Sequence, residues 1–424
     1  MKISNQILGI LIVAMSLATA WAIRGQFGHE QGAAWAGAIG GLALVLVSKR
    51  KDWYDKMVLV ALASALGWGA GGMISYGIVV GYGRADNFIN VFYGLGMLFV
   101  IGSLFGLLGG GLVGMVLDST AKKKVKWGAL ISEMVAGGLI CYFFLVEQIG
   151  IKMTPPRSEA WAFIFGAGLA MLWHMARENR NSPIRTAIFS ALGGGFGFAF
   201  GNFLQVIGNT MEIPFNMWNV MEYSIGFFGG SGMAYGVFSS KWPIDETKVK
   251  NWTNRAALFV LVVFIPLIVY RESLSYEHLI RRLGEIASLE SVALTSTTFV
   301  AILLVVVAVL LLWKLSDGRY KKKDVAFFLF VYLSTYAILS FVVKGVFAGN
   351  MDLNHQLYVV NIVLIFAIFK KGRWTWFESV SEKVNIKKWT ILFVTIVVII
   401  AILSLIAANF HDGLHGAHNR FPVD

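Results

Sequence analysis

Long apolar runs separated by short polar connections recur from one end of the 424-residue chain to the other. Runs able to span a hydrocarbon core of about 30 Å fall at residues 6–23, 32–48, 56–81, 88–117, 126–147, 160–175, 185–208, 216–238, 254–270, 292–314, 325–348, 355–369 and 389–409. They predict an all-α fold, a polytopic membrane bundle of roughly thirteen transmembrane helices. The first run has features of a signal peptide, with Lys2 ahead of it and Ala18-Thr19-Ala20 as a small-residue site. Its apolar character continues through Trp21 toward Arg24, which instead predicts a retained first helix.

Within this pattern one module occurs twice, at an offset of about 126 residues. Ala34-Trp35-Ala36 recurs as Ala160-Trp161-Ala162, Gly40 as Gly166, and Ser64-Ala65-Leu66-Gly67 as Ser190-Ala191-Leu192-Gly193, while Asp86 meets Glu212. Gly106-Leu107-Leu108-Gly109-Gly110 returns as Gly226-Phe227-Phe228-Gly229-Gly230. Four spans per copy give two copies of the same orientation, a parallel tandem repeat of four helices over residues 1–118 and 119–240. Of the 46 glycines, 39 precede Lys241, so residues 254–424 separate as a Val-, Ile-, Leu- and Phe-rich scaffold of five helices with a short outer tail. Glycine rows such as Gly67 to Gly72 and Gly109-Gly110-Gly111 are read either as tight helix contacts or as breaks exposing backbone to a polar cavity. The long run 88–117 favours a break or strong tilt.

Composition agrees with a membrane protein: 57% of residues are hydrophobic and 14% charged, more apolar surface than a soluble core can hide. The net charge of +12 is not a nucleic-acid footprint, because Lys and Arg collect in every second connection. These are Lys49-Arg50-Lys51, Lys122 to Lys126, Arg177 to Arg185, Lys241 to Arg255, Arg319 to Lys323 and Lys370 to Lys388. The positive-inside pattern predicts a plasma (inner) membrane protein with its N-terminus and these loops cytoplasmic and the C-terminus outside. The single Cys141 excludes an intrachain disulfide.

Ionisable groups near lipid are costly, so they mark candidate chemistry. By this topology Arg24, Gln26, His29, Glu30, Gln31, Arg84, Asp86 and Asn87 converge on the outer face. Glu147, Lys152, Arg157, Glu159, Asn209 and Glu212 join them from the second copy, and Asp352, Asn354 and His355 from the scaffold. Arg24 is expected to grip an anionic group while His29 or Glu30 moves a proton. Glu222, a turn or more inside its helix, is the candidate proton-coupling carboxyl, with Asn202 as its expected partner. Glu133, His174 and Arg177 read as interfacial. His-Glu without the second His of HExxH does not support zinc protease chemistry, and Gly193 to Gly197 lacks the Lys-Ser/Thr of a phosphate loop. The tail residues His411, Asp412, His415 and His418 could space a metal, but a mobile terminus is expected there, and neither a metal nor a cofactor is predicted.

The substrate-binding set is therefore Arg24, Gln26, His29, Glu30, Arg84, Asp86, Arg157, Asn202 and Glu212. The favoured function is a secondary transporter of a small polar or anionic solute, proton-coupled through Glu222. The expected partners are that solute, membrane lipids and a second copy of the chain. Two other classes fit: a membrane-embedded transferase at the outer face, and a channel or noncatalytic subunit of a membrane complex.

Overall fold

The computed structural model describes residues 2–244, 249–284, 289–372, 374–377 and 384–422, so parts of the Lys241 to Arg255 and Lys370 to Lys388 connections lie outside the described residues. Among them every regular element is helical. The main helices are α1 (Lys2–Arg24), α2 (Glu30–Ser48), α3 (Met57–Gly72), the short α4 (Gly77–Tyr82), α5 (Phe88–Asp118), α6 (Trp127–Gln148), α7 (Glu159–Arg177), α8 (Asn181–Thr210) and α9 (Met217–Phe238). They continue as α10 (Asn251–Leu274), α11 (Tyr276–Leu283), α12 (Leu289–Leu315), α13 (Lys322–Lys344), α14 (Leu353–Lys371) and α15 (Ile386–Ala408). Ten of these are long and apolar enough to cross a membrane. The predicted runs at α3, α7 and α9 are helical as well, but α3 is short and the other two are not among the ten, so thirteen crossings exceed what length and apolarity show.

Six helices close into a ring, each packed along the next in the order α1, α2, α3, α5, α8, α9 and back to α1. Lipid supplies no hydrophobic drive between helices, so close backbone packing has to hold such a ring together. Its tightest seam is α5 against α8: Gly102 faces Gly194, and a methyl on Gly106 would overlap the Ser190 carbonyl. Both helices run unbroken through their glycines, 31 residues in α5 and 30 in α8, so of the break or strong tilt expected in 88–117 the break is absent, and close contact accounts for all of these glycines except Gly96. The interruption falls instead at residues 73–76, between α3 and α4, within the run predicted as the single span 56–81.

The two segments expected to be copies of one module, 1–118 and 119–240, pack differently. In the first, α2 lies along α3; in the second, α7 pairs with α6 at the periphery and only grazes α8. Helices α10 and α13 lean on α2, α14 on α1, and α15 on α5 and α8. Residues 374–377 pass beneath the ring between α14 and α15, where the indoles of Trp374 and Trp376 donate to the carbonyls of Val47 and Ser48 at 2.8 Å each.

All six basic connections are tied together on that face. Lys49 Nζ donates to the Trp374 carbonyl (2.7 Å), Arg50 to that of Pro243 (2.5 Å) and Lys123 to that of Asn179 (3.0 Å). Ser182 Oγ reaches the Lys241 carbonyl (2.6 Å), Arg180 pairs with Asp118 (2.8 Å), and Tyr320 N–H donates to Asp55 (3.3 Å). Glu133 holds both His174 (3.0 Å) and Arg177 (2.5 Å). The start of α1 also lies here, since Gln6 donates to the Trp376 carbonyl.

The C-terminal tail occupies the opposite face and is docked, against the expectation of a mobile end. Asn90 Oδ1 accepts the backbone N–H groups of Arg420 (2.6 Å) and Phe421 (2.8 Å), and its Nδ2 donates to the Phe421 carbonyl (3.1 Å). His418 N–H donates to the Gly81 carbonyl at 3.0 Å. A carboxamide that satisfies three backbone groups gives the tail a fixed register.

Candidate functional site

At the end of the ring facing the tail, three polar side chains meet in an apolar surround. Arg24, the last residue of α1, donates from Nη2 to the Tyr76 hydroxyl at 2.8 Å, and that hydroxyl donates to Glu222 Oε1 at 2.7 Å. Arg24 Nη2 lies 3.4 Å from Glu222 Oε2, with both side chains 1% exposed. Each residue reaches this point for a local reason. Helix α1 ends at Arg24 and leads into a turn with Gly28 at φ +87°, the interruption after Gly71-Gly72 swings Tyr76 inward, and Glu222 sits on the ring face of α9.

Below this cluster the ring is filled by aromatic rings. Trp21 meets Trp68 edge-on at 5.0 Å and Phe105 at 5.6 Å, and Phe198 packs edge-on to Tyr76 at 4.9 Å. The Arg24 guanidinium lies 4.8 Å over Trp21. Isolated charges in such surroundings would cost several kcal/mol each, so pairing and hydrogen bonding are what make the cluster tenable. It is not fully satisfied: Arg24 Nε and Glu222 Oε2 are buried without a hydrogen-bond partner among the described residues.

Directly outside lies a cavity of about 650 Å³. Gln26 and Asn219 line it together with His355 and Tyr358 of α14, Asp352 before α14 and Arg282 of α11. Asn219 Nδ2 donates to the Tyr358 hydroxyl (2.6 Å) and the Ala22 carbonyl (3.0 Å), which makes it part of the partition between cavity and cluster. Glu222 lies one helical turn beyond Asn219, and Arg24 two residues before Gln26. Lys344 and Asp352 pair at 2.7 Å, and Arg282 Nη1 donates to the Gln26 carbonyl at 2.8 Å.

The predicted residues are distributed unevenly around this site. Arg24 and Glu222 form the cluster, and Gln26 is a cavity wall. Arg24 is not exposed at a mouth, because the approach of Glu222 and Tyr76 draws it inside. His29 stands edge-on to Tyr76 at 5.3 Å, and its imidazole is pushed down to about 4, first by burial and then by the positive charges of Arg24 and Arg157. Arg84 stacks over Trp218 at 5.8 Å and donates to the His415 carbonyl at 3.3 Å. Glu30, Asp86, Arg157 and Glu212 are exposed and touch neither cluster nor cavity; Glu212 occupies a turn at φ +51° after α8. Asn202 is buried in α8 and bonds Gln205 (3.2 Å) and Met221 Sδ (3.9 Å), so it does not partner Glu222. Among the described residues no three His, Cys, Asp or Glu side chains gather as a metal site, the tail histidines included.

Sequence reasoning missed Tyr76, Asn216, Asn219, Arg282 and Tyr358. Tyr76 carried one signal, a hydroxyl four residues past the Gly71-Gly72 pair, where a helix is weakest. No protein-family model, curated protein or solved structure matches the chain.

Proposed function

We propose that this chain is a proton-coupled secondary transporter of a small polar or anionic solute. The observation that carries the reading is a buried Arg24–Tyr76–Glu222 cluster separated from a polar cavity by one helical turn, inside an otherwise apolar ring. A carboxylate paired this deeply is held by Arg24, and protonating it removes the charge that engages the guanidinium. Arg24 is then released to an anionic group arriving from the cavity. Proton and anion therefore load together, as in a symporter. In this reading all thirteen apolar runs cross the plasma membrane, the basic face is cytoplasmic by the positive-inside rule, and the cavity opens outward. The tandem repeat belongs to the same reading, with two helices of its second copy, α6 and α7, displaced from the ring.

Proteoliposomes loaded against sugars, sugar acids, amino acids and organic acids, with and without an imposed pH gradient, test the proposal. Glu222→Gln is expected to abolish gradient-driven accumulation of the transported solute while preserving its exchange. Accumulation that persists in Glu222→Gln overturns the coupling role.

A second reading, a transferase working at the cavity face, is favoured by one feature. The polar lining stops at the cluster, and the Trp21, Trp68 and Phe105 rings fill the ring beneath it. Transformation of a lipid-linked donor without solute movement would select this alternative.

A further inference from the structure

On the basic face, away from the cavity, two depressions join. The first is an apolar groove of about 470 Å³ between α3, α5, α6 and α7, lined by residues such as Leu62, Leu66, Leu112, Ile131 and Phe163. The second is a pocket of about 280 Å³ at the ends of α3, α5, α6 and α10, lined by Lys56, Lys124, Lys250, Ser119 and Thr120. Leu59, Val116, Trp127 and Thr253 line both, so the groove opens into the pocket.

The chemistry changes sign along this path in the way a phospholipid does. Trp127 is 37% exposed at the junction, the depth at which indoles favour the headgroup boundary. Beyond it the lysines gather with the first turns of α3, α6 and α10. The residues preceding those turns, Lys56, Lys126 and Lys250, make no side-chain cap, so backbone N–H groups and three positive helix ends add to the ammonium charge. Lys56 Nζ is committed to the Ser119 carbonyl at 2.6 Å, whereas Lys124 and Lys250 are exposed. The nearby carboxylate, Asp118, is occupied by Arg180 at 2.8 Å and Lys123 at 3.9 Å. Basic pockets between transmembrane helices on the cytoplasmic side recognise anionic lipid headgroups.

We infer that this joined groove and pocket bind one anionic phospholipid, with an acyl chain along Leu62, Leu66 and Ile131 and its phosphate at Lys124, Lys250 and the helix ends. The site is independent of the transport reading and would stand if that reading failed.

Native mass spectrometry of the detergent-purified full chain, titrated with dioleoyl phosphatidylglycerol, dioleoyl phosphatidylcholine or glycerol 3-phosphate, tests it. One saturable phosphatidylglycerol adduct is expected, with phosphatidylcholine on the order of ten-fold weaker. The double variant Lys124→Gln/Lys250→Gln should weaken phosphatidylglycerol by a similar factor, and the control Lys387→Gln/Lys388→Gln, exposed on the same face, should not. Leu66→Trp, at a position 55% exposed, narrows the groove without altering charge and should also weaken the adduct. Equal binding of phosphatidylcholine, equal loss in the control pair, or no loss in either site variant overturns the inference. Full displacement of the lipid by glycerol 3-phosphate would mean a free phosphate site and overturns the lipid assignment.

Discussion

Arg24 and Glu222 face each other at 3.4 Å across the junction of α1 and α9, each 1% exposed and each bonded to the same Tyr76 hydroxyl. Removing one member of such a pair strands the other charge, which typically costs about 3–5 kcal/mol. Arg24→Gln should therefore lower the melting temperature sharply, and Arg24→Gln/Glu222→Gln should be more stable than the sum of the single losses. A double-mutant cycle by thermal denaturation in detergent measures the coupling, and strict additivity would mean that the pair is not one unit.

The glycines of α5 give a contrast within one helix. A methyl at Gly106 meets the Ser190 carbonyl of α8, whereas a methyl at Gly96 meets nothing within 4 Å. Gly106→Ala should destabilise the ring, and Gly96→Ala should raise stability by about 0.5–1 kcal/mol through reduced backbone entropy of the unfolded chain. Melting curves of the two variants, read side by side, check both signs.

His29 predicts a dependence on acid. Its folded value near 4 lies below the unfolded 6.5, so the neutral ring is favoured by folding. Above about pH 6.5 both states are neutral and His29 contributes no pH dependence. As pH falls from there toward 4 the unfolded state gains the proton first, and stability declines; below about 4 the decline from this group ends. His29→Gln should flatten the melting-temperature profile within that window, with no change above pH 7.

Tail docking rests on Asn90. Asn90→Ala leaves the Arg420 and Phe421 N–H groups without their acceptor and should speed tryptic cleavage after Arg420 severalfold. The ring helices, which do not need the tail to pack on one another, should stay resistant.

Much of the architecture was legible because hydropathy writes membrane helices directly into the chain: the predicted apolar runs fall on helices, with 56–81 divided between α3 and α4, and the six basic connections share one face. Glycine spacing was harder to read, since Gly109-Gly110-Gly111 supports either a break or a seam, and only the neighbours on three different helices, Trp68 of α3, Ser190 of α8 and Met171 of α7, decide for close contact. Arg24 and Glu222 stood out as costly residues near lipid, but their pairing depends on ring closure, a relation with no local signature. Asn202 was the expected partner of Glu222, while the chain supplies Tyr76 from the interruption after α3. The cavity was only partly visible: Gln26, Asp352, Asn354 and His355 stood out as polar groups at span ends, whereas Asn219, Arg282 and Tyr358 come from three distant segments that read as ordinary polar residues.

The closure of the ring between its first and last helices also constrains biosynthesis. Helix α1 leaves the ribosome well before α9, so the partner that neutralises Arg24 arrives only after the intervening helices have been made. Until then the guanidinium at the end of α1 must find shelter at the membrane surface, where a long arginine side chain can reach water. Withdrawal of Arg24 from that surface would thus mark the moment of assembly, and a nascent chain released before α9 would hold its first helix in place without its lock.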